Sequence, residues 1–198
     1  MQPFQVRIHG RGGQGVVTAA ELLSVAAFRE GRYAQAFPSF GSERTGAPVV
    51  AFCRIADTAI RSHEPIMSPD ALIIQDPTLL HQVDVFNGLR EDGYLLINSS
   101  HSFAALGLGA FVTRFDPTRI RTVPGTEIAR EIVGRPIANA VLLGSFAALT
   151  GVVSIDSVAA AIRERFRGAL AERNVAGAQR AFAVAGDDVK EMAGAQAD

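Results

Sequence analysis

Residues Gly10-Arg11-Gly12-Gly13-Gln14-Gly15 constrain this chain more than any other stretch. Before them lies Phe4-Gln5-Val6-Arg7-Ile8, short and rich in β-branched residues. After them, residues 16–30 carry Val17, Ala20, Leu23, Ala27 and Phe28 at roughly helical spacing. The pattern reads strand, glycine turn, helix. Without Cβ atoms such a turn lets backbone approach a bulky anion, and the unpaired N–H groups opening the helix point at it. The spacing fits G-x-G-x-x-G with Gly13 as an extra glycine. The alternative is a tight turn that needs glycine only for packing.

The second strand argues against a nicotinamide site. Such a fold places Asp or Glu at the end of that strand, about 20 residues on, to bind the ribose hydroxyls. Here the strand is Tyr33-Ala34-Gln35-Ala36-Phe37, which has no acid; the first carboxylate after it is Glu43. A phosphate site stays open, and a standard dinucleotide site does not.

The 198 residues, 48% apolar and 20% charged, suit one soluble domain over residues 1–198 with a core of its own. A net charge of −1 provides no basic field for nucleic acid, so any anion binding must be local. Cys53 is the single cysteine. The chain therefore holds no internal disulfide, and by itself it holds no cysteine-ligated iron–sulfur cluster or thiolate zinc site. The sequence opens on a strand rather than a leader pattern, and no apolar run reaches about 18 residues. The expectation is a cytoplasmic protein with no membrane span.

Further along, residues 49–55 read as a strand and residues 59–63 as its hairpin partner. Residues 70–76 and 94–98 read as strands buried on both faces. Pro77 should start a helix carrying Leu79, Leu80, Val83 and Phe86. Residues 111–114 and 121–124 read as short strands and residues 126–133 as a short helix. Residues 138–149 are apolar nearly all round and should form a buried helix. Ser154 should cap a further helix, and a last one should run over residues 174–192. Alternating strands and helices argue for an α/β fold: a mostly parallel central sheet, a β-hairpin insertion, flanking helices and a helical C-terminal third over about residues 126–192.

No catalytic set stands out. Gly144-Ser145-Phe146 lacks the flanks of a nucleophile elbow. The four histidines (His9, His63, His81, His101) contain no i, i+4 pair for a metal. His9 abuts the turn at the carboxyl end of its strand, the edge where open α/β sheets bind ligands. The second notable feature is the polar loop between Pro38 and Pro48, with Ser39, Ser42, Glu43, Arg44 and Thr45. If the second strand lies beside the first, this loop reaches the glycine turn, and Arg44 supplies a cation for a pyrophosphate.

Gly10-Arg11-Gly12-Gly13-Gln14-Gly15-Val16 and the run Phe37-Pro38-Ser39-Phe40-Gly41-Ser42-Glu43-Arg44-Thr45-Gly46-Ala47-Pro48 together resemble the gamma subunit of the 2-oxoacid:ferredoxin oxidoreductases. Pro69-Asp70 ahead of the strand at 73–76, Ile137-Ala138-Asn139-Ala140 with Gly144, and Asn174 with Ala181-Phe182 extend the likeness over nearly the whole chain. The resemblance implies a complex with alpha, beta and ferredoxin-like subunits that decarboxylates a 2-oxoacid and forms an acyl-CoA. Thiamine diphosphate and iron–sulfur clusters would sit in the partner subunits, and the gamma chain would handle coenzyme A and assembly. It implies a CoA site on Gly10, Arg11, Gly12, Gly13, Gln14, Gly15, Ser39, Glu43 and Arg44. Some family members carry a second basic residue after Arg44, where this chain has Thr45. A second reading makes the chain a structural docking module with no ligand of its own.

Overall fold

The computed structural model describes residues 2–39 and 45–195, with side chains as far as residue 187. Six strands form one sheet: β1 (Phe4–Arg11), β2 (Tyr33–Pro38), β3 (Pro48–Ala56), β4 (Ala71–Ile74), β5 (Tyr94–Asn98) and β6 (Ile120–Val123). The helices are α1 (Val16–Arg29), the single turns α2 (Gly109–Val112) and α3 (Gly125–Ile128), then α4 (Asn139–Thr150), α5 (Ile155–Arg165) and α6 (Gly168–Ala195). The sheet order is β2-β3-β1-β4-β5-β6. β1, β4, β5 and β6 run parallel, and β3 is antiparallel to both of its neighbours, so the expected mostly parallel α/β sheet is present.

One face carries α1, α4, α5 and α6 over Val6, Ile8, Ala71, Ile73 and Leu96. α4 is buried at ten of its positions because the sheet lies below it and α1, α5 and α6 surround it. That is why its sequence lacks a polar stripe. Ser154 caps α5 by accepting a hydrogen bond from Ser157 N, as the sequence suggested. The other face is covered by connecting segments, with Leu79, Val85, Leu89 and Phe115 on Leu72, Ile74, Leu95 and Ile97. No long helix covers it among the described residues.

Four local expectations are corrected. Residues 59–63 form no strand, because β2 and β1 already occupy both edges of β3; the hairpin is β2–β3 instead. Pro77 begins only a 3-10 turn, Pro77–His81, and Val83 is left exposed. The chain then turns at Gly88 (φ +76), whose Cα packs so tightly on the Met67 carbonyl that a Cβ would lie 1.9 Å from that oxygen. Residues 111–114 form no strand. Phe111 packs on the sheet face between Phe86 and Phe115, with ring centroids at 4.3 and 5.4 Å, and its backbone belongs to α2. The last helix begins at Gly168, ahead of the expected residue 174.

Candidate functional site

From β1 the chain passes to β2 and β3 on one side of the sheet, whereas β4, β5 and β6 lie on the other. The order therefore reverses between β1 and β4, and α/β sheets bind ligands outside the carboxyl ends of strands at such a point. There β1 ends in the glycine motif and β4 in Gln75 and Asp76.

Each glycine of the motif has a distinct physical reason. A Cβ on Gly10 would lie 2.6 Å from Val16 Cγ2 and 3.2 Å from Gln75 Oε1, so α1 can start this close to the sheet only over glycine. Gly15, the N-cap of α1, has φ +70, and a Cβ there would meet Asn139 Nδ2 at 2.3 Å. Gly12 exchanges backbone hydrogen bonds with the far end of the polar loop: its N–H donates to Ala47 O at 2.9 Å and its carbonyl accepts from Gly46 N at 3.0 Å. Gly13 differs. Its φ is +94 and nothing lies within 4 Å of a Cβ built on it. The space above Gly13 is open.

Gln14 and Arg11 frame the turn. Gln14 Oε1 accepts from Arg11 N at 2.8 Å, and Nε2 donates to Asp76 Oδ2 at 2.7 Å. Arg11 pairs with Asp76 at 3.2 Å and donates to Thr78 Oγ1, Gln82 Oε1 and Gly46 O at 2.7–3.2 Å. Burial pushes the Asp76 carboxyl up. Hydrogen bonds from Thr78 and Gln14, followed by the Arg11 charge, outweigh that and hold it below the ordinary carboxylate value. The guanidinium of Arg11 is thus engaged by protein groups. Among the described residues, the amides of Gly13, Gly15, Val16 and Val17 make no hydrogen bond. They are the open donors of the site.

The polar loop does reach the turn, through a different strand from the one expected. β2 is not beside β1; β3 is, and residues 45–47 leading into β3 zip onto Gly12. Ser39 is exposed and donates its N–H to Val50 O at 2.8 Å. Phe40, Ser42, Glu43 and Arg44 lie outside the described residues.

Two cavities open on the turn and share Gly13, Gly15 and Thr18. One, about 270 Å³, lies toward Arg11 and Val49. The other, about 160 Å³, lies toward Arg135, Asn139, Arg165 and Asn174. Asn139 Nδ2 donates to Gly15 O at 3.3 Å and its Oδ1 accepts from Ala140 N, which ties the start of α4 to the start of α1. Sequence reasoning missed Asp76, Arg135 and Arg165. Asp76 ends an apolar strand and was open to detection as a carboxyl-end residue. Arg135 and Arg165 carry no local signal, since folding alone brings them to the turn.

His9 sits on the face opposite α1, beside Arg7, and lines neither cavity. Burial first, then the Arg7 charge, lower its pKa from 6.5 to about 4, so it is neutral at physiological pH. The unfolded chain takes up a proton at higher pH than the folded one, so stability falls as pH drops through this window. Removing His9 should flatten that fall. Between about pH 7 and about pH 4.5 the wild type should lose ~2–3 kcal/mol more than His9→Leu in denaturant titrations. Parallel curves for the two proteins would contradict the assignment.

Comparisons with known proteins show the family of the chain. A family model described as pyruvate ferredoxin/flavodoxin oxidoreductase matches residues 5–184. The chain belongs to that family. Pyruvate synthase subunit PorC of Methanothermobacter marburgensis is 47% identical over 179 residues, covering 90% of this chain and 96% of that protein. The gamma subunit common to the pyruvate and ketoisovalerate oxidoreductases of Thermococcus kodakarensis is also 47% identical, over 90% of this chain and 95% of its own length. The crystal structure of the pyruvate oxidoreductase subunit PORC from Thermotoga maritima superposes with a TM-score of 0.78 at 34% identity, over 92% of this chain and 96% of that one. As a gamma-type member of the pyruvate ferredoxin/flavodoxin oxidoreductase family, the chain is one subunit of a multi-subunit oxidoreductase complex. No described helix is long and apolar enough to cross a membrane.

Proposed function

We propose that this chain handles coenzyme A at the glycine turn of a complex that oxidatively decarboxylates a 2-oxoacid to an acyl-CoA. One observation carries the reading: the open amides at the start of α1 lie beside Gly13, between two cavities. A helix start of this kind is a ready anion site. In this reading Gly10, Gly12 and Gly15 set the backbone, Gly13 gives the anion room, and Arg11 and Gln14 hold the turn against Asp76. Ser39, Glu43 and Arg44 would border the site from the loop that ends on Gly12.

Thiamine diphosphate and the iron–sulfur clusters belong to alpha, beta and ferredoxin-like partners. Among the described residues, no group of three or more His, Cys, Asp or Glu side chains is placed to hold a metal. Burial pushes the Cys53 thiol up to about 12, far from the thiolate a cluster needs. Electrons and the reacting carbonyl would therefore be handled elsewhere, in a cytoplasmic assembly. The structural-module reading also has a specific observation in its favour. Arg11, the motif's own cation, is already engaged by Asp76, Thr78, Gln82 and Gly46.

Gly13 discriminates between the two. A Cβ there meets no atom of the described residues within 4 Å, so the main cost to folding is the strain of a positive φ, which Asn and Asp tolerate best. Gly13→Asn tests bulk, and Gly13→Asp adds a like charge. If the turn receives a phosphate, the aspartate complex should show a KM for CoA about 10- to 150-fold higher than the asparagine complex, the equivalent of one charge-assisted contact. Assembled complexes with the same CoA dependence in both variants would leave the turn architectural.

A further inference from the structure

Two cavities meet at Gly13, and their electrostatics differ. On the β3 side, among the described residues, the cation in the lining is Arg11, which pairs with the Asp76 carboxylate and donates to Thr78, Gln82 and Gly46. An anion entering there would meet a guanidinium already balanced by Asp76. On the α4–α6 side, among the described residues, the lining has no acidic residue and contains Arg135 and Arg165. Neither arginine makes an ion pair or a side-chain hydrogen bond among the described residues. The contrast within α5 is informative. Glu164 pairs with Arg29 and Arg163 pairs with Glu172, yet Arg165 is left beside the cavity, with its guanidinium 5.8 Å from the Phe166 ring centroid.

We propose that the diphosphate of the thiol cosubstrate lies on this α4–α6 side, clamped by Arg135 and Arg165 against the first turn of α1. The inference rests on the CoA reading above and assigns it a location and two cations that the motif does not contain. Two guanidinium groups from separate segments, Arg135 ahead of α4 and Arg165 at the end of α5, are brought to one cavity with the positive end of a helix. Both the cations and the helix start favour an anion at this place. Planar guanidinium forks suit the paired oxygens of phosphate groups.

The rest of the lining fits the group attached to that diphosphate. In coenzyme A this is the gem-dimethyl carbon of the pantetheine arm, then a hydroxyl and an amide. Ile137, Phe166 and Leu170 form an apolar wall, and Leu170 is exposed. Asn174 is only 4% exposed. Its Nδ2 donates to Leu170 O at 2.8 Å, and its Oδ1 has no partner among the described residues, an acceptor at the cavity wall available to the hydroxyl or amide N–H of the arm.

Pantetheine, which keeps the thiol and arm but lacks the phosphates, provides the test. In the assembled complex, Arg135→Gln, Arg165→Gln and the double variant are assayed with 2-oxoacid and either CoA or pantetheine as acceptor. The ratio of kcat/KM for CoA to that for pantetheine should fall about 10- to 150-fold in the double variant, mainly through the KM for CoA. Inorganic diphosphate should compete with CoA in the wild type and lose that competition in the double variant. Both arginines are exposed, so assembly should be retained, as checked by native mass spectrometry. An unchanged ratio overturns the proposal, and so does an equal loss with both acceptors. If Gly13→Asp raises the KM for CoA and the arginine variants do not, the CoA reading stands and this location falls. If neither responds, both fall.

Discussion

Gly144→Ala is expected to destabilise the fold by about 3 kcal/mol or more, beyond the usual range for an added methyl group. A Cβ at Gly144 would lie 1.9 Å from the Ala178 carbonyl oxygen and 2.6 Å from its carbon. Both belong to the backbone of α6, so no rotamer change relieves the clash, and α4 and α6 must move apart. That movement would disturb a core of Val141, Leu142, Ala178, Ala181 and Ala185. It would also strain the hydrogen bond from Ser145 Oγ to Ala181 O, 3.1 Å. Intrinsic propensity acts the other way, since glycine to alanine inside a helix gains roughly 0.5–1 kcal/mol. Gly186 on α6 isolates that gain, because nothing lies within 4 Å of a Cβ built there. Thermal unfolding should therefore show opposite signs for one substitution. Gly144→Ala should fall by several degrees, at about 2–4 °C per kcal/mol for a chain of this size, and Gly186→Ala should rise slightly. A Gly144→Ala protein as stable as the wild type would mean that α4 and α6 are not packed this closely.

Arg7→Met should cost about 3–5 kcal/mol, as for breaking a buried, hydrogen-bonded charge. Arg7 is 6% exposed and faces the side of the sheet where connecting segments replace long helices. Its guanidinium donates to Val85 O at 3.0 Å, to Ile66 O at 3.4 Å, to Met67 O at 3.5 Å and to Asn87 O. Burial lowers its pKa and the nearby Asp84 charge opposes that; an arginine in this position stays ionised. One rigid fork thus draws together two loops, residues 66–67 and 85–87, that have few backbone partners of their own. Methionine keeps much of the volume and removes every donor, stranding the carbonyls. Lysine keeps the charge but not the planar fork, and should recover only part of the loss. Hydrogen exchange should quicken most around Val85 and Leu89, ahead of the strands. A cost under about 1 kcal/mol, with unchanged exchange, would show that water or the loops themselves satisfy those carbonyls.

Arg54 repeats the device on the same face, donating to Ser62 O and Glu64 O while lying 5.1 Å over the Phe37 ring. Neither arginine is recognisable from sequence as structural. In a strand pattern a charge normally marks a solvent face, and only the segments folded over that face convert it into a buried staple.

The elements that were legible in the sequence are those whose patterns are local. β1, the glycine turn and α1 arise from glycines bounded by a β-branched run and a helical repeat, and the structure has all three in that order, with β1 running on from the expected Ile8 to Arg11 inside the motif. β4 and β5 arise from continuous apolar runs, and α4 from apolarity on every side. The misreadings occur where partners decide. Residues 59–63 carry a hairpin-compatible pattern, but a strand needs a free edge and β3 has none. Residues 111–114 have strand-like residues, but Phe111 lies between two aromatic rings on the sheet face. The Pro77 segment has helical spacing, but Gly88 against Met67 and the hold of Arg7 on Val85 bend the chain before a second turn forms.

The same division holds at the site. Sequence alone determined that a glycine turn joins the first strand to the first helix, that no ribose-binding acid comes after it and that one cysteine cannot bind a cluster, because each depends on residue type and short spacing. Only the tertiary structure decided which donors remain open. It engages Arg11 with Asp76, joins the polar loop to Gly12 through β3, and brings Asn139, Arg135 and Arg165 to the same turn from far along the chain. The charge at a site is the sum of the groups that folding places there, and no local spacing records that sum.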